Sequence, residues 1–383
     1  MAEILQSGAA DGTGAAEEQS HLHASPVPSR LSVRRLMWRR FCRNRVALVS
    51  AIVLVSVYIV ILFAGFFSPY AHDKARDLYS VAPPQPIHFF DTEGNFYLQP
   101  FVYRLEGRRD LRTLNFVYEP DTAQRDPIYL FVRGDTYPIF LWKSDVHLFG
   151  TKDGTFFPLG TDARGRDMLS RIIYGARVTL SVGLIGVALV VVLGATIGAI
   201  SGYLGGFVDT AIQRTIEVFR LFPPIPLWMA LAAAIPPHWP STNVLVGIVV
   251  IYGFIMWPGL AREVRGLVLV LRDSEFVLSA KASGASTTRI IRKHLIPNVT
   301  THLLVTATLG IPVVIIFEST LSFFGLGIKP PMTSWGLLLQ QAQKLEVLSF
   351  NPWLLAPGAF IVVAVLLFNF VGDGIRDAAD PYS

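Results

Sequence analysis

Charged residues are scarce in this sequence, and cysteine is almost absent. Only 16% of the 383 residues are Asp, Glu, Lys or Arg, against roughly 25% in soluble domains. The single cysteine, Cys42, excludes an internal disulfide. Hydrophobic residues make up 52% of the chain and are grouped in separate runs of about bilayer length. This pattern indicates a polytopic membrane protein rather than one large soluble core.

Further absences limit the functions that the chain can have. The sequence contains no G-x-x-x-x-G-K-[ST] segment, so we expect no ATP-binding P-loop in this chain. Its eight histidines lack ligand spacing, which predicts no metal site and no cofactor bound by this chain. Residues 1–29 contain no Lys or Arg and no long apolar run, so we expect a disordered cytoplasmic tail rather than a signal peptide.

Six apolar segments are predicted to cross the membrane as helices. The first, 46–67, has no charged residue over its length and follows a strongly basic segment. The arginines of that basic segment are Arg30, Arg34, Arg35, Arg39, Arg40, Arg43 and Arg45. The other predicted spans are 178–200, 221–235, 244–260, 300–324 and 353–371.

The distribution of Lys and Arg between the loops predicts how the chain is oriented. The segments 30–45 and 261–299 are rich in basic residues, whereas 236–243 has none and 325–352 has two. Cytoplasmic loops carry the excess of Lys and Arg. We therefore predict that the N-terminus, the loop 261–299 and the C-terminus are cytoplasmic. The net positive charge reflects this topology rather than binding of nucleic acid.

The segment after the first span has a different composition. Residues 68–170 carry 12 Lys or Arg and 14 Asp or Glu, together with many aromatic residues. Stretches such as 127–133 predict short strands between turn residues. We expect residues 68–158 to form a small β-rich insert outside the cytoplasm, followed by a five-helix core over 159–383.

Two patterns within the predicted helical core have a physical explanation. Gly194, Gly198 and Gly202 recur every four residues, which places them on one helix face and predicts close helix packing. In the basic loop, small residues precede Gly284, where a short helix would end. An amphipathic stretch follows, and Pro297 would then begin the next span. Such a loop is suited to docking a cytoplasmic partner.

The loop resembles the EAA loop of ABC importer permeases, whose pattern is E-A-A, three residues, G, nine residues, I-x-L-P. Gly284 and Pro297 stand at the family spacing and Ala280 matches, while Ser279 and His294 depart from the pattern. The segments 159–180, 318–336 and 369–381 resemble the dipeptide, oligopeptide and nickel permease family, in the order of its second-position, C-type subunit. The resemblance covers residues 30–70 and 159–383.

This resemblance implies an all-α type I importer permease fold with six transmembrane helices, located in a bacterial inner membrane. It also implies a heterodimer with a second permease subunit, two ATP-binding subunits that supply ATP hydrolysis, and a periplasmic substrate-binding protein. The ATPase-coupling residues would be Glu275, Ser279, Ala280, Gly284, Arg289, Arg292, His294 and Pro297. The expected cargo is a peptide or a similar polar solute.

Several assignments stay open at the level of sequence. Glu318 lies near the end of a span and either lines the transport pathway or pairs with Arg171 or Arg177. Asp162 and its charged neighbours are interpreted as a self-neutralising loop at the membrane surface. An ATP-independent transporter or channel is the alternative function, although the mid-span residues are almost all apolar. A membrane-anchored receptor would need fewer spans.

Overall fold

The computed structural model describes residues 33–109, 116–139, 142–152, 154–343 and 349–379. The predicted tail at 1–29 and Arg30 lie outside the described residues. The α-helices are α1 Val33–Arg43, α2 Arg45–Leu62, α3 Ala64–Phe67, α4 Met168–Leu204, α5 Gly206–Arg220, α6 Pro224–Ala233, α7 Ser241–Leu271, α8 Glu275–Ala282, α9 Thr287–Ile290, α10 Ile296–Phe323, α11 Trp335–Gln340 and α12 Ala356–Ala379. The strands are β1 His88–Phe90, β2 Phe96–Arg109, β3 Phe116–Pro127, β4 Tyr129–Ile139 and β5 Trp142–Gly150.

Five helical segments of the described chain are long and apolar enough to cross a membrane. They are Arg45–Leu62, Met168–Leu204, Ser241–Leu271, Thr287–Phe323 and Pro352–Ala379. A sixth span is formed only if α5 and α6, bent by 83° at a short break, cross together. The predicted span 221–235 is therefore wrong in its bounds, because prolines at 223 and 224 end one helix and begin the next.

Two predicted helix boundaries are also corrected. The span predicted to end at residue 260 continues as α7 to Leu271, through Pro258 and well into the predicted loop 261–299. The next span begins at Thr287 rather than at Pro297. Between Thr287 and Pro297, residues 291–295 form a π-turn in which the Ile296 N–H donates to the Ile291 carbonyl. This wider turn accommodates Pro297, which has no N–H and would crowd the preceding turn of a regular helix.

The β-rich insert consists of two antiparallel units. Strands β1, β2 and β3 form one sheet in that order, and β4 and β5 form a hairpin. The strands are longer than predicted, since β2 has 14 residues and β3 has 12. The sheet pairs Phe101 with Pro127 and Arg109 with Phe116. We name the end of the helical core that carries this insert the sheet end, and the end that carries residues 272–286 the loop end.

The hydrophobic core has two main clusters. The larger one packs α2, α4, α7, α10, α11 and α12 around residues such as Leu180, Ile248 and Ile315. The second lies at the loop end and joins α4, α7 and α10 to the turn-rich segment between the last two. The loop end is thus part of the packed structure and not an appendage of it.

Helices α4 and α7 run in the same direction and approach each other closely at a row of glycines. A Cβ added at Gly194 would lie 2.8 Å from Leu260 Cβ, and one at Gly202 would lie 2.9 Å from the Arg265 carbonyl oxygen. At Gly198 it would overlap the Ala261 carbonyl oxygen. Side chains at these positions would push the two backbones apart.

Replacing Gly198 by alanine should lower the apparent melting temperature of the purified protein. The new methyl group meets backbone atoms of α7 that have no side-chain freedom to yield, and overpacking of this kind costs about 1–3 kcal/mol. Gly266→Ala is the matched control, because nothing lies within 4 Å of a Cβ at that position in α7. Equal melting temperatures for the two variants would contradict the packing described here.

Candidate coupling loop and buried polar clusters

The cytoplasmic-type loop 272–286 is built around a helix end at Gly284. Gly284 has φ +77°, a left-handed conformation that glycine adopts without strain. Its N–H donates to the Lys281 carbonyl at 3.0 Å, and the Ala285 N–H donates to the Ala280 carbonyl at 3.0 Å. This pair of hydrogen bonds is the Schellman motif, which satisfies the last carbonyls of α8 and turns the chain sharply.

The loop is anchored to the helical core by apolar side chains. Val277 of α8 is buried, as are Ile290 and Leu295 beyond the turn. They pack in the second hydrophobic cluster with Val264 and Val268 of α7. Because α8 packs closely against α7 and α10 through this cluster, a force applied to α8 would reach both helices.

The rest of the α8 surface is exposed, and it carries apolar side chains on both flanks of Val277. Phe276 and Leu278 are exposed, the latter by 51%. The sequence analysis missed both residues, although large apolar residues within a polar loop are a signal for a partner surface. Of the predicted coupling residues, the structure places Glu275, Ser279, Gly284, Arg289, Arg292 and Pro297 at the surface and Ala280 and His294 in half-buried positions.

An ion pair at the loop end fastens α5 to α7. Arg265 Nε lies 2.5 Å from Asp209 Oδ1, and its Nη2 donates to Asp209 Oδ2 at 2.6 Å. Ser201 of α4 donates a third hydrogen bond to Asp209 Oδ1 at 2.5 Å. The sequence analysis did not predict this cluster, because Asp209 and Arg265 are far apart in the chain. The planar, two-point geometry fixes the direction of α5 where it leaves α4.

Glu318 of α10 is fully buried and has hydroxyl partners rather than arginine partners. Thr179 Oγ1 of α4 donates to Glu318 Oε2 at 3.0 Å, and Ser322 Oγ donates to Oε1 at 2.7 Å. Thr179 Oγ1 also accepts the backbone N–H of Trp335 at 3.1 Å. Glu318 therefore joins α10 to α4, and through Thr179 to α11, inside this chain.

The suggested pairing of Glu318 with Arg171 is not found, because Arg171 has another partner. Its guanidinium, which is almost fully buried, donates to Asp162 Oδ2. Asp162 also accepts the Arg166 Nε at 2.8 Å and the backbone N–H groups of Arg164 and Arg166. Burial acts to raise the pKa of Asp162, but the charges of Arg171 and Arg166 and their hydrogen bonds bring it below its usual value.

Asp167 is as buried as Asp162, but its surroundings raise its pKa instead of lowering it. Its Oδ2 accepts the Ser170 N–H at 2.7 Å and so caps the start of α4. Its Oδ1 has no hydrogen-bond partner. Burial raises the pKa of Asp167 to about 6, although hydrogen bonds from Ser170 act against this. Two neighbouring carboxyl groups thus differ in which protonation state the fold prefers.

A further hydrogen bond closes the sheet end. Trp353, just before α12, donates its Nε1–H to the Thr161 carbonyl at 3.1 Å. Thr161 Oγ1 in turn accepts the Ala82 N–H at 2.7 Å. The segment before α4 is therefore tied both to the insert and to the last span. Within the described ranges, no group of three or more His, Cys, Asp or Glu side chains is arranged to hold a metal ion.

Comparison with known proteins gives matches along most of the chain. The model for a binding-protein-dependent transport system inner membrane component matches residues 194–382, and that for the N-terminal TM domain of oligopeptide transport permease C matches residues 32–84. An oligopeptide transport system permease protein OppC from Haemophilus influenzae is 44% identical over 233 residues, 60% of this chain and 72% of that protein.

Another relative matches over a longer part of the sequence. The dipeptide transport system permease protein DppC of Lactococcus lactis subsp. cremoris is 31% identical over 346 residues, 90% of this chain and 89% of that protein. Among solved structures, an inward-facing conformation of the MetNI methionine ABC transporter aligns with 56% of this chain and 98% of that chain, at 19% identity and a TM-score of 0.42.

The membrane-spanning helices and the sequence matches define a multi-pass membrane component of a binding-protein-dependent transport system. The chain belongs to the family of dipeptide and oligopeptide ABC importer permeases, as a second-position, C-type subunit.

Opposite effects are expected when the two buried carboxyl groups at the sheet end are replaced. Asp162→Asn leaves the Arg171 charge buried without its counter-charge, which should cost about 3–5 kcal/mol. Asp167→Asn keeps an oxygen that can cap α4 and removes a buried, poorly paired charge, so stability at pH 7.5 should be unchanged or higher. Apparent melting temperatures of the purified variants measure both effects.

The pH dependence follows from the raised pKa of Asp167. Folding favours its protonated form, so its contribution is present below the unfolded pKa of about 4 and is lost as the pH rises through about 6. The wild type should therefore lose stability relative to Asp167→Asn between about pH 4 and pH 6. A difference that is constant across this range, or equal effects of the two substitutions, would contradict the assignment.

Proposed function

We propose that this chain is the permease subunit of an ATP-driven importer for peptides or similar polar solutes. It forms half of the translocation pathway together with a second permease subunit and docks one of two ATP-binding subunits through the loop 272–286. The observation that carries the proposal is the α8 helix, capped at Gly284, exposed on one face and anchored to the core on the other.

The exposed face of α8 supports docking of an ATP-binding subunit. Phe276 and Leu278 offer apolar contacts on the two flanks of α8, and Glu275 and Lys281 offer charges beside them, a mixture that is common at protein interfaces. On the buried face, Val277 contacts the cluster that includes α7 and α10. Movement of a docked ATPase would therefore be transmitted to two membrane-spanning helices.

The orientation and the partners complete the proposal. The loop end faces the cytoplasm, because it carries the excess of Lys and Arg, and the sheet end faces a periplasmic binding protein that delivers the solute. ATP is hydrolysed by the partner subunits, and this chain has no catalytic role of its own. The names of the relatives, oligopeptide and dipeptide permeases, support a peptide as cargo.

Within this scheme we assign Glu318 a positioning role rather than a place in the pathway. Its carboxylate is enclosed within the chain and bonded to Thr179 and Ser322. The α10 helix that carries it begins next to the coupling loop and ends at this cluster. Glu318 thus fixes the sheet-end part of α10 against α4.

The turn at Gly284 provides a test of coupling. Gly284→Ala places a β-carbon in a left-handed conformation, which costs about 1–2 kcal/mol, although the space around it is open. We expect the assembled transporter to show several-fold lower binding-protein-stimulated ATPase activity and uptake. Gly284→Asn is the matched control, because asparagine tolerates this conformation, and it should restore most of the activity.

Two outcomes would contradict this proposal. If Gly284→Ala and Gly284→Asn both retain full activity, the turn does not carry coupling. If the purified chain alone moves solute into liposomes without ATP, the importer proposal fails and an ATP-independent transporter replaces it.

For the insert, we propose a contact with the substrate-binding protein. Phe96 and Leu98 point to the same face of β2 and are 60% and 87% exposed. Phe90 of β1 lies beside Phe96, with ring centroids 5.3 Å apart. An exposed apolar patch of this kind on a folded domain is typical of a binding surface.

Replacing this patch should weaken capture of the binding protein without disturbing the core. We expect Phe96→Ser combined with Leu98→Ser to raise the KM for binding-protein-dependent uptake about tenfold, because two apolar contacts of about 1 kcal/mol or less each are lost. Assembly with the ATPases should be unchanged. Leu78→Ser, at a residue that is 77% exposed outside the strands, is the control. Unaltered KM in the double variant would refute the contact.

A further inference from the structure

A polar cleft lies at the sheet end, between the β4–β5 hairpin and the segment that follows α3. Its volume is about 300 Å³, at the lower end of the range for pockets that hold small molecules. Residues within 69–76 form one wall, and the hairpin and the residues just after it form the other. We name this site the insert cleft.

Positive charge predominates in the lining of the insert cleft. Its charged side chains are one carboxylate and four cations: Asp135, Lys74, Arg76, Arg133 and Lys152. The carboxylate is already occupied, because Lys74 Nζ lies 2.5 Å from Asp135 Oδ1 and the Ala71 N–H donates to Oδ2 at 3.1 Å. Arg133 is 84% exposed, and its Nε lies 4.0 Å from Asp145 Oδ2, so this pair contributes little. The cleft therefore has more positive charge than its own carboxylate can offset.

Two of these cations are held by aromatic rings instead of carboxylates. The guanidinium carbon of Arg76 lies 3.9 Å from the centroid of the Tyr70 ring, and Lys152 Nζ lies 4.3 Å from that of Tyr129. Neither cation forms an ion pair with a carboxylate of the described residues; Asp153, which follows Lys152 in the sequence, lies outside them. A ring face attracts a cation without cancelling its charge, and a stacked guanidinium keeps the N–H donors at its edge free.

Hydrogen bonds hold the walls of the insert cleft in place. The ring of His147, which is 3% exposed, joins the hairpin to the end of α3: its Nδ1 lies 2.6 Å from the Ser68 carbonyl oxygen, and its Nε2 lies 2.9 Å from the Asp135 carbonyl oxygen. The Tyr70 hydroxyl accepts the Phe156 N–H at 2.8 Å, which fixes the ring that supports the arginine. A site that is formed before its ligand arrives loses less entropy when it binds.

The shape and the charge of the insert cleft together select a small anionic group. A neutral apolar ligand would displace water from Arg76 and Lys152 and give these cations no hydrogen-bond acceptor in return. A carboxylate would exchange the same water for charge-assisted hydrogen bonds, which are about twice as strong as those between neutral groups. Because the cleft is concave and small, a single projecting group fits it better than a broad protein surface does.

We propose that the insert cleft binds the terminal carboxylate of the peptide solute through Arg76 and Lys152. Arg76 is half-buried, and its Nη1 has no hydrogen-bond partner, whereas Lys152 is exposed at the mouth of the cleft. The guanidinium offers a carboxylate two donors in one plane, and the ammonium adds a point charge. The identity of the solute rests on the proposed function, whereas the preference for a carboxylate rests on the cleft alone.

The wall that carries Arg76 is attached to the helical core. The Arg76 N–H donates to the Arg164 carbonyl at 3.2 Å, in the segment before α4. The Tyr70 N–H donates to Ser170 Oγ, in the first turn of α4, at 3.3 Å. A solute held in the cleft would therefore lie where the insert meets the core, at the end to which the proposed function assigns delivery of the solute.

The test compares two ligands that differ only at the C-terminus, trialanine and trialanine amide. Saturation-transfer difference NMR measures the Kd of each for the purified full-length chain in detergent, near neutral pH and at low ionic strength. We expect trialanine to bind at least about tenfold more tightly than its amide, because a hydrogen bond to a charged group contributes about this factor or more.

Three variants assign the difference to the cleft. Arg76→Gln combined with Lys152→Gln should weaken binding of trialanine to the level of the amide and leave binding of the amide unchanged. Lys152→Gln alone changes only an exposed side chain and should weaken trialanine binding several-fold, so the test remains decisive if the double variant folds poorly. Lys143→Gln is the matched control, because Lys143 is exposed on the same hairpin but does not line the cleft. Its Kd should equal that of the wild type.

Each of the other outcomes overturns the proposal. Equal Kd values for trialanine and its amide would show that the carboxylate is not recognised. An equal loss of binding in Lys152→Gln and Lys143→Gln would show a general effect of charge rather than a site. Inorganic phosphate that binds at least about tenfold more tightly than trialanine would show a site for a free oxyanion.

The binding measurements need no ATP and no partner subunit, so they separate this proposal from the proposed function. If the carboxylate preference is found and ATP-driven uptake is not, the proposed function fails and the cleft remains a carboxylate site. If uptake is found and the preference is not, the cleft assignment alone fails.

Discussion

The close approach of α4 and α7 is the contact on which the rest of the helical core depends. At Gly198 the two backbones lie so close together that an added Cβ would overlap the Ala261 carbonyl oxygen. In a membrane, where lipid is as apolar as leucine, such close packing is a main source of helix association. The same two helices are joined to α5 by the Asp209–Arg265 ion pair, and they form the surface on which Val277 and Leu295 pack to hold the loop 272–286.

Different kinds of interaction stabilise the two ends of this helical core. At the sheet end, buried ions and polar groups set the geometry: Asp162 neutralises Arg171, and hydroxyl groups surround Glu318. Such clusters tolerate little displacement, because an unpaired buried charge is costly. At the loop end, the segment 272–286 is held mainly by apolar contacts, which are non-directional and permit sliding. A transporter of this family needs both properties, a stiff frame and a region that can respond to a partner.

Features that depend on residues close together in the chain could be predicted from the sequence. Apolar runs, the glycine row and the helix end at Gly284 follow from spacing alone, and α4 and α7 contain the spans predicted at 178–200 and 244–260. Contacts between segments far apart in the chain could not be predicted in this way. The partners of Glu318 and Arg171 depend on how α4, α10 and the preceding loop come together. The bend between α5 and α6 depends on a proline cluster whose angle no periodicity encodes.

One hydrogen bond has a consequence for how the protein is made. Trp353 closes the sheet end by bonding to Thr161, a residue 192 positions earlier in the chain. During synthesis the insert and the first spans emerge long before Trp353 does. Until the ribosome has delivered the final helix, the segment before α4 lacks this partner. The last transmembrane segment therefore completes the far side of the molecule, and a chain truncated before it would expose an unfinished surface to quality control.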